Sequence, residues 1–346
     1  MVGLLACSGA PRSTAPPAPT PATSAHRPPG YPELSAALNV PDLETALPFY
    51  ERAMGAQVLQ RLHGLDGTLR SAQVRIGGDS VLLLTAEDPD HRGPAAVGGT
   101  PLRLYMYVED VDAAFAGALA AGAKVQQPLQ NLFWGDRGGQ IKDPAGYVWY
   151  LATHVEDISN QEFARRSQQA IDTFARGEVP QWTLQHTASR WRPDGYATIT
   201  PIAIVRDIDE ASEFAQTSFG ATVVRHVADA AGSSIHAELR IGDSFLRLSK
   251  EYEQYQHDSP LTLGGTPAGL HLYVRDAGQT CERAAAARAT LVHPVLDAGL
   301  GERTCRVVDP SGFPWSVATF VEELSNETVQ QRFLVFLRQN GPREER

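Results

Sequence analysis

Apolar and polar residues alternate along this chain in short runs whose period switches between two and about three and a half. Ser35 to Asn39 alternates with period two and predicts a strand, whereas Leu43, Ala46, Leu47, Tyr50 and Met54 fall on one face of a helix from Asp42 to Met54. Asp42 is an N-cap candidate and Gly55 suits the residue beyond the last turn. Pro48 lacks an amide hydrogen and predicts a late start or a kink. Gln57 to Leu62, Arg70 to Ile76 and Val81 to Thr85 read as strands, the last two joined by a Gly-Gly-Asp-Ser turn. A second unit repeats the order with a strand at Arg103 to Val108, a helix at Val111 to Ala121, and strands around Val125, Gln140 and Tyr147 to Thr153.

The whole plan then recurs from Thr198 to Phe320. Val40-Pro-Asp-Leu returns as Val205-Arg-Asp-Ile, Gly98-Gly-Thr-Pro as Gly264-Gly-Thr-Pro, and Asp143-Pro-x-Gly-x-x-Trp149 as Asp309-Pro-x-Gly-x-x-Trp315, at an offset of about 165 residues (205 − 40). A weaker echo of Val40-Pro-Asp-Leu at Val108-Glu-Asp-Val divides each copy into two halves. The organisation read from this is a disordered leader over 1–32, a first domain over 33–155, a helix and linker over 156–195, a second domain over 196–321, and a terminal helix and tail over 322–346. Strands and helices alternating without long Val/Ile runs predict an α+β fold whose mixed sheets have one covered and one open face. Ser159-Asn-Gln-Glu162 is a capping box opening a helix with Phe163, Ala170, Ile171 and Phe174, and Ser325 opens its counterpart. Trp182 and Trp191 predict a linker that is packed down.

Composition narrows the function classes. A net charge of −10 and no Lys/Arg cluster argue against nucleic-acid or anionic-membrane partners, and no apolar run reaches the roughly 18 residues a membrane span needs. Cys7, Cys281 and Cys305 show neither a paired framework nor zinc spacing, so Cys281 and Cys305 are expected as buried free thiols. The Pro/Ala/Ser/Thr-rich leader reads as disordered, and with only Met1, Val2 and Gly3 before Leu4 there is no basic n-region or sufficient apolar stretch, so the chain is expected to be cytoplasmic as written. Leu4-Leu5-Ala6-Cys7 resembles a lipoprotein cleavage box, so an exported lipoprotein anchored through Cys7 is the alternative if translation starts upstream. No nucleophile constellation, phosphate-cradling loop or nucleotide fingerprint is present.

With the repeated strand-helix-strand-strand-strand unit and the closing Asp-Pro-x-Gly-x-x-Trp hairpin, the chain resembles the vicinal oxygen chelate superfamily of glyoxalase I, bleomycin-resistance proteins and extradiol dioxygenases over about 33–155 and 196–321. The resemblance implies two tandem domains, each of two βαβββ units forming a cupped mixed sheet and each followed by a helix. It also implies four metal-ligand positions per cup. In the first domain these fall on Ser35, Ser71, Arg103 and Tyr150, and in the second on Thr200, His236, Gly269 and Ser316. Only His236 is a good ligand, so no cofactor is expected; a divalent metal in domain two would need the shifted set His236, Glu238 and His271.

The same placement makes Ser35, Ser71, Gln73, Arg103, Tyr105, Tyr107 and Tyr150 line the first cup, and Thr200, His236, Glu238, His271, Tyr273 and Ser316 the second. Trp134 and Arg137 of the Phe133-Trp-Gly-Asp-Arg loop, and Arg303 of its echo, are expected near the mouths. Trp149 and Trp315 face the other way, into the core. An arginine among tyrosines suits an anionic or aromatic small molecule. The reading is therefore a glyoxalase/bleomycin-resistance-like protein that binds or sequesters such a molecule without metal. The alternatives are a metal-dependent lyase, isomerase or dioxygenase sited in domain two, and a non-catalytic scaffold. The sequence leaves open whether the chain forms a homodimer.

Overall fold

The computed structural model describes residues 26–229, 231–252 and 256–340. Cys7 and most of the leader lie outside the described residues. Four units follow one another. The first comprises β1 (Leu34–Val40), α1 (Leu43–Met54), β2 (Gln57–His63), β3 (Leu69–Ile76) and β4 (Ser80–Ala86). A short α2 (Pro94–Val97) leads to the second, β5 (Leu102–Tyr107), α3 (Val111–Ala120), β6 (Lys124–Asn131), β7 (Asp136–Lys142) and β8 (Val148–His154), followed by α4 (Asn160–Ala175). The third is β9 (Ile199–Val205), α5 (Ile208–Phe219), β10 (Thr222–Ala228), β11 (Ser234–Ile241) and β12 (Ser244–Lys250). A short α6 (Pro260–Leu263) precedes the fourth, β13 (Ala268–Tyr273), α7 (Ala277–Ala286), β14 (Thr290–Asp297), β15 (Glu302–Val308) and β16 (Pro314–Phe320), and α8 (Asn326–Asn340) follows.

Local chemistry sets the helix ends. Asp42, Asp110, Asp207 and Asp276 each accept a backbone amide of the first turn, satisfying donors that the helix leaves open, and Gly55 and Gly220 close α1 and α5 in the left-handed region. Helix α1 begins at Leu43 and carries Pro48 within it, so the predicted late start does not occur.

The strands form two eight-stranded mixed sheets, ordered β14-β15-β16-β13-β1-β4-β3-β2 and β10-β11-β12-β9-β5-β8-β7-β6. The units that share a sheet are therefore the first with the fourth and the second with the third. Antiparallel pairing of first strands makes both joints: Ser35 faces His271 across β1–β13, and Tyr105 faces Thr200 across β5–β9. The residues assigned to one cup from the first domain are consequently split between two sheets. Helix packing of α1 on α3 and α5 on α7 holds the sequence-adjacent units together, with Tyr50 donating to the buried Asp143 at 2.9 Å. One continuous apolar core runs under the helices, and Trp149 and Trp315 sit in it with their indole N–H groups on Asp143 and Asp309.

Two expectations are corrected. Cys281 on α7 and Cys305 on β15 form a disulfide, with Cα atoms 6.6 Å apart; the helix lies directly on the strand, a contact that a 24-residue spacing does not reveal. Residues 26–32, read as leader, are held in place: Phe320 N donates to His26 O at 3.0 Å, Arg27 pairs with Asp243, and Tyr31 donates to Gln73 at 2.6 Å. The linker is packed as expected, with Asn131 donating to Trp182 O and His154 N to Trp191 O.

Candidate functional site

Alternation along each strand sends one set of side chains to the helix-covered core and the other into the concave face of the sheet. In the sheet of units two and three, that concave face and α4 enclose a cavity of about 400 Å³. Its floor is polar and comes from β5, β7, β8, β11 and β12. Its roof is apolar, with Phe163, Ala170, Ile171 and Phe174 of α4 facing Ile202, Ile204 and Val227.

Helix α4 starts at the predicted N-cap, Glu162 N donating to Ser159 at 3.1 Å, while the Glu162 carboxylate goes to Arg165 and Arg166 instead of back to the cap. Arg166 on its inner side then binds the buried Glu156 at 2.8 and 2.9 Å. The ring of Phe163 lies 5.5 Å from that of Phe133 and beneath Arg225, whose guanidinium carbon is 4.2 Å from its centre. A two-point ion pair between buried groups fixes register as well as position.

Two buried carboxylates organise the floor. Asp136, 1% exposed, accepts from Tyr105 at 2.6 Å, Tyr107 at 3.1 Å and Trp134 at 3.1 Å, and meets His154 Nδ1 at 2.8 Å. Burial and the Asp136 charge push both tyrosines well above the ordinary phenol value, so they stay neutral donors. Burial alone would lower His154, but its contacts with Asp136 and Asp157 outweigh that and raise it. The turn is set by Gly135 at φ +94°, where a Cβ would lie 2.1 Å from the Glu156 carbonyl oxygen.

The second carboxylate, Glu238, accepts from Tyr196 at 2.7 Å and pairs with Arg247 at 3.0 Å and Arg225 at 3.5 Å. Burial would raise it, yet Arg247, His236 and Arg225 hold it well below the usual carboxylate range. Arg247 is itself buried, 4.2 Å from the centre of the Tyr105 ring and 5.3 Å from that of Tyr196, and donates to Tyr107 at 3.2 Å. Each of these charges is thus answered inside the protein.

Arg103 differs. It is 6% exposed, and its guanidinium meets His257 Nε2 at 2.8 Å, the Gln256 carbonyl at 2.9 Å and Gln140 at 3.5 Å. These partners are neutral; burial lowers the affinity of Arg103 for its own proton, and contact with Tyr150 and the charge of Asp258 offset that only in part. His257 beside it is pushed down to about 4 by burial and by the Arg103 charge, and is neutral at pH 7.

Of the residues read from the sequence, Arg103, Tyr105, Tyr107, Trp134, Tyr150 and Thr200 share this first cup with His236 and Glu238. Ser35, Ser71, Gln73, Tyr273 and Ser316 lie on the concave face of the other sheet, with His271. The shifted metal set is therefore divided: His236 and Glu238 stand on β11 and His271 on β13, in different sheets. Arg137 turns outward onto Asp112 at 2.6 and 2.8 Å, and Arg303 is exposed, because each follows an inward-facing acid by one strand position. That same alternation would have found Asp136. It would also have found Arg247, which lies between the core residues Leu246 and Leu248.

The model of the Glyoxalase/Bleomycin resistance protein/Dioxygenase superfamily matches residues 34–151 and 185–317, and the chain belongs to that family. An uncharacterized protein of Mycobacterium bovis is 40% identical over 136 residues, 38% of this chain and 89% of its own length. A Mycobacterium tuberculosis counterpart is 40% identical over 136 residues, 79% of its length. Glyoxalase I from Zea mays superposes with a TM-score of 0.55 at 15% identity, covering 89% of this chain and 95% of that one, a likeness of fold.

The metal that the resemblance implies finds one good donor, His236, among its ligand positions, fewer than the three or more that hold such an ion. The four would-be ligand positions hold Thr200, His236, Arg103 and Tyr150 in the first cup and Ser35, Ser71, Gly269 and Ser316 in the second. Among the described residues no group of three or more His, Cys, Asp or Glu is arranged to hold a metal ion. A buried arginine at one position would repel a cation.

Proposed function

We propose that the first cup binds a small organic anion with a flat or apolar body, using side chains alone. The observation that carries this reading is Arg103: a buried guanidinium with neutral partners, opening on a cavity whose roof is apolar. Burying a cation whose hydrogen-bond partners are neutral and whose nearby acid, Asp258, offsets burial only in part is costly, and a ligand carboxylate would reduce that cost with a two-point hydrogen bond. A volume of about 400 Å³ falls in the range of small-molecule sites. Tyr105, Tyr107 and Tyr150 give ring surface to a flat ligand, and α4 covers the remainder.

The test is calorimetric titration of a panel of aromatic and aliphatic carboxylates and their neutral amides against the chelator-treated protein. Acids should bind at least tenfold more tightly than the matching amides. Arg103→Gln should erase most of that difference, since a charge-assisted hydrogen bond contributes roughly 1.5–3 kcal/mol, while leaving the melting transition in place. Equal binding of acids and amides, or binding that requires added metal, would overturn the reading.

A further inference from the structure

Helix α4 roofs the first cup, and its two halves are held differently. The first half is fastened at both sides of the cavity. Arg166 pairs with Glu156 at 2.8 and 2.9 Å, and Phe163 sits against the Phe133 ring and beneath the Arg225 guanidinium. From Ser167 to Phe174 no such tie exists among the described residues. Each side-chain hydrogen bond of that stretch stays within the helix or reaches Arg176 just beyond it: Gln168 donates to Asp172, Gln169 accepts from Arg165, and Thr173 donates to the Gln169 carbonyl and accepts from Arg176.

What holds the second half down is apolar contact. Ile171 and Phe174 line the cavity together with Ile202, Ile204 and Val227, and half of Phe174 still faces solvent. Ser167 lines it too, 3% exposed, and its hydroxyl has no hydrogen-bond partner. Buried hydroxyls are nearly always satisfied, and the cost of leaving this one unpaired weakens the closed position relative to one in which it meets water.

The chain after α4 gives it room to move. Gly177 turns it at φ +75°, residues 176–179 are exposed, and its next tie to the sheet is the Trp182 carbonyl, which accepts from Asn131. The corresponding helix of the second domain is built otherwise. Gln330 of α8 bonds both backbone groups of His63 on β2, and Arg332 bonds the Gly299 carbonyl beyond β14, so α8 is stitched to the backbone at both ends of its sheet. A roof helix of this fold is therefore not loose by nature.

We propose that α4 is a lid that pivots on the anchorage of Phe163 and Arg166, so that its second half, Ser167 to Phe174, lifts away from Ile202, Ile204 and Val227 to admit a ligand and closes over it. The inference rests on the reading that the first cup takes a small organic anion, and it gives control of entry to the helix instead of the sheet. Elements that open below the global transition are those held by few buried contacts, which describes this half of α4.

The lid is tested without ligand. In the full chain carrying Cys7→Ser, which leaves only the bridged Cys281 and Cys305, Ser167→Cys is labelled with a polyethylene-glycol maleimide too large to enter a cavity of about 400 Å³. Its rate relative to that of the urea-unfolded chain gives the open fraction, which should exceed the globally unfolded fraction of the same variant at least tenfold and change little in dilute urea. Adding Ile171→Ala and Phe174→Ala should raise the rate severalfold. If that pair abolishes the cooperative melt, Phe174→Ala alone takes its place with the same expectation. Labelling that tracks global unfolding means a fixed roof and overturns the proposal, as does a rate that the alanines leave unchanged. Naphthoate at saturation should slow labelling at least tenfold. Calorimetric binding of naphthoate without slowing overturns the lid, whereas absence of binding counts against the anion reading and leaves the lid to the ligand-free result.

Discussion

The guanidinium of Arg247 lies 4.2 Å from the centre of the Tyr105 ring, and the two residues belong to different sequence domains. They meet because β9 pairs with β5, which places the third unit beside the second. The contact is one corner of a buried cluster in which Glu238 neutralises Arg247 and three tyrosines surround it. Stacking of a desolvated guanidinium on aromatic faces is worth about 2 kcal/mol per good contact, and the ion pair fixes its direction.

Arg247→Leu therefore leaves Glu238 buried without its main counter-charge. The expected loss is roughly 3–5 kcal/mol, read as a lower urea midpoint. Adding Glu238→Gln removes the stranded charge and should restore a substantial part of that loss. Additive destabilisation in the double variant would show that the two side chains act independently.

Much of this fold was legible in the sequence because its signals are local. The caps Asp42 and Asp207, the period-two runs, and the Asp143 and Asp309 hairpins each fix their own element without reference to the rest of the chain. What was not legible is which units share a sheet. β1 and β5 begin similar units, each presents an edge able to pair with another first strand, and nothing local to Ser35 says that its partner is His271. The same gap hid the Cys281–Cys305 bridge and the insertion of Tyr31, which depend on contacts made only after the sheets are joined. In the first cup, Arg103, Tyr105 and Tyr107 were visible through alternation, whereas their charged neighbours Glu238 and Arg247 join them only through the β5–β9 joint.

Residues 33–155 expressed alone lose the partners of both β1 and β5, which are β13 and β9. Two unpaired edges beside an apolar core are a template for self-association. The fragment should elute as a dimer or larger species, with β1 of one copy taking β5 of another, when its mass is measured by light scattering. A well-folded monomer at micromolar concentration would mean that the two units of this fragment can pair with each other.

Cys305 is fully buried and bridges to Cys281 across a 24-residue separation, tying α7 to β15. Closing a loop of that size restricts the unfolded chain and stabilises the native one by about 3 kcal/mol. Cys305→Ser should lower the melting temperature by several degrees, and the wild-type protein in reductant should fall by a similar amount. A melt insensitive to reductant, with three free thiols titrating in the denatured protein where the bridged chain would show only Cys7, would mean that the bridge does not form.

His257 gives a pH dependence of defined sign. Its folded value is held at about 4 by burial and the Arg103 charge, against about 6.5 in an unfolded chain. Above pH 6.5 the ring is neutral in both states, so its contribution is constant. Between pH 6.5 and 4 the unfolded chain takes up a proton that the folded one refuses, and stability falls with pH by up to about 3 kcal/mol. His154, raised by Asp136 and Asp157, works in the opposite direction, so the useful quantity is a difference between variants. Urea midpoints at pH 7.5 and pH 5 should fall more for the wild type than for His257→Gln, which keeps an acceptor for Arg103 but cannot titrate. Equal losses in the two proteins would mean that the ring is protonated in place, and with it that Arg103 does not lie beside a neutral imidazole.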